Sequence, residues 1–274
     1  MRANPHAILL FLLLLLIADS PLFAQQEQTK LTFSHSFPVG SAVAVDTDYK
    51  GNIFFLDQKR NIVQLDTLGD LISIFSPPVR GRVATIDAGN PLKIMAFYFD
   101  RQQILLLDRF LRPISSTSLL DFGFDGTVRA AGLASEDGFW LFNETTITLG
   151  KLDTRLRKFI SETPLNLILD KERLDIRMVR EYQNLVYLLD YAGGIYIFDN
   201  LGNYKKKLPV TGVSYIDFKE DVLYYVKENK LYFHNLYTSQ VEVVILPDGD
   251  FKSALISSDQ LFLFSDTKGY VLHL

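Results

Sequence analysis

The sequence predicts an all-β fold, a six-bladed β-propeller with four antiparallel strands in each blade, whose last blade is closed by a strand from the N-terminal end. Three observations predict it: a long repeat, a period of two inside each repeat, and a strand missing at one end but present at the other. Short runs rich in branched and aromatic residues close on Asp66, Asp108, Asp153 and Asp199, and a spacing of about 45 residues is that of a radial or stacked repeat protein. A fifth unit ends near Asn235 and a sixth with the chain at Leu274. An eight-to-ten-strand sandwich leaves the grouping of strands in fours unexplained.

The elements follow in order. Arg2, the wholly apolar run Ala7 to Ala18, the break at Asp19-Ser20-Pro21 and the small residue Ala24 have the layout of a secretory signal peptide over residues 1–24. The apolar run is too short for a membrane span, which needs about 20 residues. Residues 25–274 are then one propeller domain, exported and soluble, periplasmic or extracellular. In the first unit, the runs Ala42 to Asp46, Ile53 to Asp57, Ile62 to Asp66 and Leu71 to Phe75 are separated by Gly, Asn and Asp turns, the pattern of hairpin-linked strands. The fourth unit repeats it with Ile176 to Val179, Leu185 to Leu189, Ile195 to Phe198 and Tyr204 to Leu208. The fifth gives Val213 to Phe218, Val222 to Val226, Lys230 to His234 and Val241 to Leu246. The last unit supplies only three strands, and Lys30 to Ser36 supplies the fourth, which removes an open sheet edge. Two segments depart from the plan. Leu120 to Arg129 is a long connection, and Ser161 to Arg173 opens with Ser161-Glu162-Thr163-Pro164, a cap and proline that predict a short rim helix.

Val43-Ala44-Val45-Asp46, Gly51-Asn52-Ile53-Phe54-Phe55-Leu56-Asp57, Ile62-Val63-Gln64-Leu65-Asp66 and Gly69 together resemble an NHL-type repeat. Three later units keep the aspartate after the third strand, and Gly202 repeats Gly69. The whole is similar to the six-bladed propellers of bacterial envelope proteins. That resemblance implies surfaces that bind partners or ligands more often than chemistry.

Composition removes several functions. The chain has 274 residues, 48% hydrophobic, 22% charged, with a net charge of −4 and no cysteine. No basic surface for nucleic acid is expected, and thiolate metal sites, disulfides and a cysteine nucleophile are excluded. A phosphate-binding loop, a serine-hydrolase elbow and a zinc-protease helix are absent, and the single Trp140 does not fit the sialidase or quinone-binding propellers. Asn143-Glu144-Thr145 matches a glycosylation acceptor no more often than chance, and Lys205-Lys206-Lys207 reads as the guard of an outer strand edge. His35 and His273 are expected on neighbouring strands of the closing blade as a structural pair.

The expected function is therefore a non-enzymatic binding or scaffold propeller of the cell envelope, without a cofactor, holding a protein partner or a small ligand on one face. Aligning the innermost strands sets Arg82, Arg129, Arg177 and Lys252 near the starts of four of them, with Ser41 and Gly212 in the other two. Four cations at one mouth of the channel would favour an anionic guest; the competing reading pairs them with Asp125 or Asp175. The alternative function is a calcium-dependent hydrolase of the six-bladed propeller type, with Asp46, Asp87 and Asp217 as channel ligands. Calcium takes six to eight oxygens, so these three aspartates are read first as acceptors of turn hydrogen bonds.

Overall fold

The computed structural model describes residues 31–122, 126–135, 137–238 and 240–273. The expected signal segment 1–24 and Asp125 lie outside them. The described strands form six four-stranded antiparallel sheets. The first strand, β1 (Thr32–Pro38), is set apart in sequence from its own sheet. Blade one is β2 (Val45–Thr47), β3 (Ile53–Leu56), β4 (Ile62–Leu65) and β5 (Leu71–Phe75), and blade two is β6 (Val83–Asn90), β7 (Lys93–Tyr98), β8 (Gln103–Leu107) and β9 (Pro113–Ser118). Blade three is β10 (Val128–Ala134), β11 (Gly138–Asn143), β12 (Thr148–Asp153) and β13 (Lys158–Pro164). Blade four is β14 (Ile176–Tyr182), β15 (Leu185–Asp190), β16 (Gly194–Asp199) and β17 (Tyr204–Leu208). Blade five is β18 (Asp217–Lys219), β19 (Val222–Lys227), β20 (Lys230–Asn235) and β21 (Val241–Ile245). Blade six is β22 (Ser253–Ser257), β23 (Gln260–Phe264) and β24 (Lys268–His273), with β1 paired antiparallel on β24.

The recurring aspartates have a physical role. Three of them accept backbone N–H groups in the same way at the turn that leads to the outer strand: Asp66 Oδ1 from Leu68 and Asp70, Asp108 Oδ1 from Phe110 and Arg112, Asp199 Oδ1 from Leu201 and Asn203. These Asx turns need a left-handed residue three positions on. Gly69 and Gly202 supply it at φ 90°, and Leu111 takes it at φ 59°.

The blades pack through their sheet faces. The Phe37 ring of β1 packs at a tilt, 4.8 Å from Phe55 of blade one, and lies edge-on to Phe264 of blade six, so the closing strand is wedged by aromatics as well as by its hydrogen bonds. Innermost strands approach closely: a Cβ on Gly132 would come within 2.3 Å of the Val179 carbonyl oxygen in the next blade.

Four expectations change. No helix forms over Ser161 to Arg173; Ser161–Pro164 is the end of β13, followed by a turn in which Ile168 and Leu169 N–H donate to the Leu165 carbonyl. Ser161 and Thr163 hydroxyls donate to the Leu201 and Gly202 carbonyls of blade four, which fixes the segment as an extended edge and overrides its cap-like sequence. Two inner strands start later than their apolar runs, at Val45 and Asp217. Before Val45, Ser41 Oγ accepts the N–H groups of Val43 and Ala44 in a turn. The two histidines are on neighbouring strands but not opposite one another: His35 faces Val271, and His273 faces Thr32. The lysines Lys205, Lys206 and Lys207 do stand exposed on the outer strand of blade four.

Candidate functional site at the two channel mouths

The innermost strands β2, β6, β10, β14, β18 and β22 bring their starts to one mouth of the channel and their ends to the other. At the first mouth, Arg82 and Arg129 both lie over the Phe99 ring, at 5.4 and 5.3 Å from its centre. Arg129 also donates from Nε to the Ile176 carbonyl, and no carboxylate among the described residues comes within salt-bridge distance of either guanidinium. Arg177 and Lys252 differ: Arg177 pairs with Asp175 at 2.5 Å and covers Tyr191, and Lys252 pairs with Asp250 at 2.6 Å. The structure therefore brings Arg82 and Arg129 together on one ring and neutralises Arg177 and Lys252 locally.

At the other end, the three aspartates converge, with a partner that the sequence reading left unpaired. Arg180 is buried at 6% exposure, and its Nη1 donates to Asp46 at 2.9 Å and to Asp217 at 3.0 Å across the channel. Asp46 also accepts from Ala88 N–H and the Tyr215 hydroxyl, and Asp217 from the Tyr224 hydroxyl at 2.7 Å. Asp87 accepts from Leu133 N–H in the next blade and from Gly89 N–H. Only the last of these is local, within β6 itself. The aspartates chiefly join blades, which corrects the turn-acceptor reading. A guanidinium sits between the carboxylates where the calcium reading would set a cation, and among the described residues no group of three or more His, Cys, Asp or Glu is arranged to hold a metal ion.

These contacts belong to a complete circuit. Asp46 to Ala88 joins blades one and two, Asp87 to Leu133 joins two and three, and Glu181 accepts Trp140 Nε1–H at 2.6 Å and Ser135 N–H to join three and four. Arg180 to Asp217 joins four and five, and Ile256 N–H to the Tyr224 hydroxyl joins five and six. Ser253 and Ser257 hydroxyls donate to the Ala42 and Gly51 carbonyls, returning six to one. Burial raises the Asp46 carboxyl to about 7, against the pull of Arg180, and raises Asp217 as well. Burial works against the Arg180 charge too, but Asp46 and its neighbours hold it firmly protonated.

Above this floor opens a funnel of about 570 Å³ whose wall includes Arg180, Asp87, Glu181, Asn184, Tyr49 and Tyr182. Gln183 and Asn184, at φ 47° and 61°, form the two-residue hairpin turn that carries the amides to the rim. The Tyr182 ring stacks on Phe218 at 4.5 Å and 13°. None of these residues except Asp87 was singled out from the sequence. Arg180 alone carried a signal, as a cation on an inner strand level with three aspartates.

No protein-family profile matches the chain, and no curated protein matches it. Solved structures do. Virginiamycin B lyase from Staphylococcus aureus, a catalytically inactive histidine variant with quinupristin, is 11% identical at TM-score 0.57, over 85% of this chain and 80% of that one. The Cps50 (Swd1) β-propeller domain from Myceliophthora thermophila is 11% identical at TM-score 0.63, over 89% of this chain and 100% of that one. BamB from Moraxella catarrhalis is 11% identical at TM-score 0.52, over 89% and 100%. At such identities the likeness carries the propeller fold.

Proposed function

We propose that this chain is an exported, non-enzymatic binding propeller of the cell envelope, related to the NHL-like propellers that blade one resembles, and that it holds a partner's acidic segment at the mouth bearing Arg82 and Arg129. The observation that carries the reading is the pair of guanidinium groups over Phe99, two cations on adjacent blades with no carboxylate partner among the described residues. Arginine over an aromatic face presents its fork of donors in a fixed plane, suited to carboxylate or phosphate. Arg177 and Lys252 would add a screened rim to the same guest. Against catalysis, Asp46, Asp87 and Asp217 are already occupied by protein donors, and the described histidines His35, His234 and His273 lie on β1, β20 and β24, away from the innermost strands.

Two measurements test this. N-terminal analysis of protein from the native host should find the first ~24 residues removed, and an intact N-terminus would contradict export. A photoreactive residue at position 99 should cross-link a partner in the envelope, whereas the same group at position 205 on the outer edge should not; equal capture at both would contradict the site.

A further inference from the structure

A separate recess opens between the outer parts of blades four and five. It is a cavity of about 50 Å³ walled by Leu185, Ile197 and Leu208 of blade four and Leu236 of blade five, and Lys206 and His234 also line it. Residues directly opposite in an antiparallel pair point to one face. Lys206 is opposite Ile197 and Leu208 opposite Ile195, and both isoleucines belong to the core shared with blade five, so Lys206 stands on the side turned to that blade. On blade five, His234 is opposite Val241 and Tyr232 opposite Val243, and the Tyr232 ring stacks on Tyr225 of the same core at 5.2 Å. Val241 and Val243, each 46% exposed, and Ile245, at 64%, carry this face to the edge of the blade as an uncovered apolar stripe. Glu242 alternates to the other face, opposite Phe233.

Charge in the recess is one-sided. No carboxylate among the described residues comes within salt-bridge distance of Lys206 or His234, and Asp221, beyond Gln183, accepts from the Gln183 amide. Burial, and then the Lys206 ammonium, hold His234 below its ordinary value. The lysine and the histidine thus meet with no anion between them. An amine guest would be repelled by Lys206, and a neutral apolar guest would strip water from the ammonium and return nothing. A carboxylate accepts from both groups, and an alkyl chain attached to it covers the apolar walls. Val241 to Ile245 is four steps of about 3.3 Å, a track for a chain of middle length.

We propose that this recess binds an aliphatic monocarboxylate, its head between Lys206 and His234 and its chain over the leucines of the cavity and the stripe of Val241, Val243 and Ile245. The site lies between outer strands and does not rest on the partner-binding mouth.

The test is NMR of the full mature protein titrated with butyrate, octanoate, 1-octanol and octylamine, following the ring signals of His35, His234 and His273. Octanoate should shift the His234 signals and leave the other two, and should bind about tenfold or more tighter than butyrate, since each buried methylene contributes up to roughly fourfold. It should also bind more tightly than 1-octanol or octylamine. Lys206→Gln and Val243→Asp change exposed positions, so both keep the fold, as an unchanged melting temperature verifies, and each should weaken octanoate by about fivefold or more. An Arg82→Glu, Arg129→Glu protein should bind octanoate as the native one does, which separates this site from the mouth. No shift at His234, butyrate, 1-octanol or octylamine binding as well as octanoate, native affinity in the folded Lys206→Gln protein, or loss of octanoate in the Arg82→Glu, Arg129→Glu protein would overturn the proposal.

Discussion

Asp46 is fully buried, and burial holds its carboxyl at about 7 although Arg180 lies 2.9 Å away. The ordinary value is 3.8, so between roughly pH 4 and pH 7 the folded protein binds a proton that the unfolded chain has released. Stability from this group is accordingly greatest in acid and falls as pH rises through that window. Asp217, raised by the same cause, adds in the same direction. An Asp46→Asn variant keeps an acceptor for Ala88 N–H but cannot titrate. Its melting temperature should lose less between pH 5 and pH 8 than that of the native protein; an unchanged pH profile would contradict the assignment.

Elements were legible where local chemistry and tertiary packing agree. The aspartates at the ends of the third strands of blades one to four were visible as a period, and Asp66 and Asp199 cap turns because Gly69 and Gly202 give the left-handed residue the turn requires. Ser161 to Arg173 was misread because its Ser-x-x-Pro opening is a local helix signal, while the hydrogen bonds from Ser161 and Thr163 to blade four are invisible in sequence. The closing strand was legible from counting alone, and its register offers a test. Thr32 faces His273 across β1 and β24, both exposed, in a chain without cysteine. Thr32→Cys with His273→Cys should therefore oxidise to an intramolecular bridge that stabilises the fold by about 2–4 kcal/mol. Disulfide-linked dimers, or no change in melting temperature on oxidation, would contradict the pairing.

For the whole molecule, the inner strands gave the sequence reading two levels of charge but not their connections. Four cations aligned at the strand starts, yet only Arg82 and Arg129 share a ring, because Asp175 and Asp250 stand within reach of Arg177 and Lys252. Three aspartates aligned at the strand ends, and Arg180, on the inner strand of blade four, proves to tie two of them across the channel. Alignment yields height along the axis; which side chains meet across it depends on the closure of the ring. The funnel rim was hidden for the same reason, since Tyr49 and Asn184 come from turns of different blades.

The outcome is a closed ring with an arginine-bearing mouth at one end and a carboxylate-rich funnel at the other, and the central claim is that the former recruits an acidic partner. The most direct measurement is recovery of partner protein from the native envelope by the native chain and by an Arg82→Glu, Arg129→Glu variant over a series of salt concentrations. Attraction between exposed charges is screened beyond about 10 Å at 0.1 M salt. Native recovery should fall steeply as salt rises, and the variant should recover little even at low salt while keeping its melting temperature. Undiminished recovery by the folded variant at low salt would contradict the account.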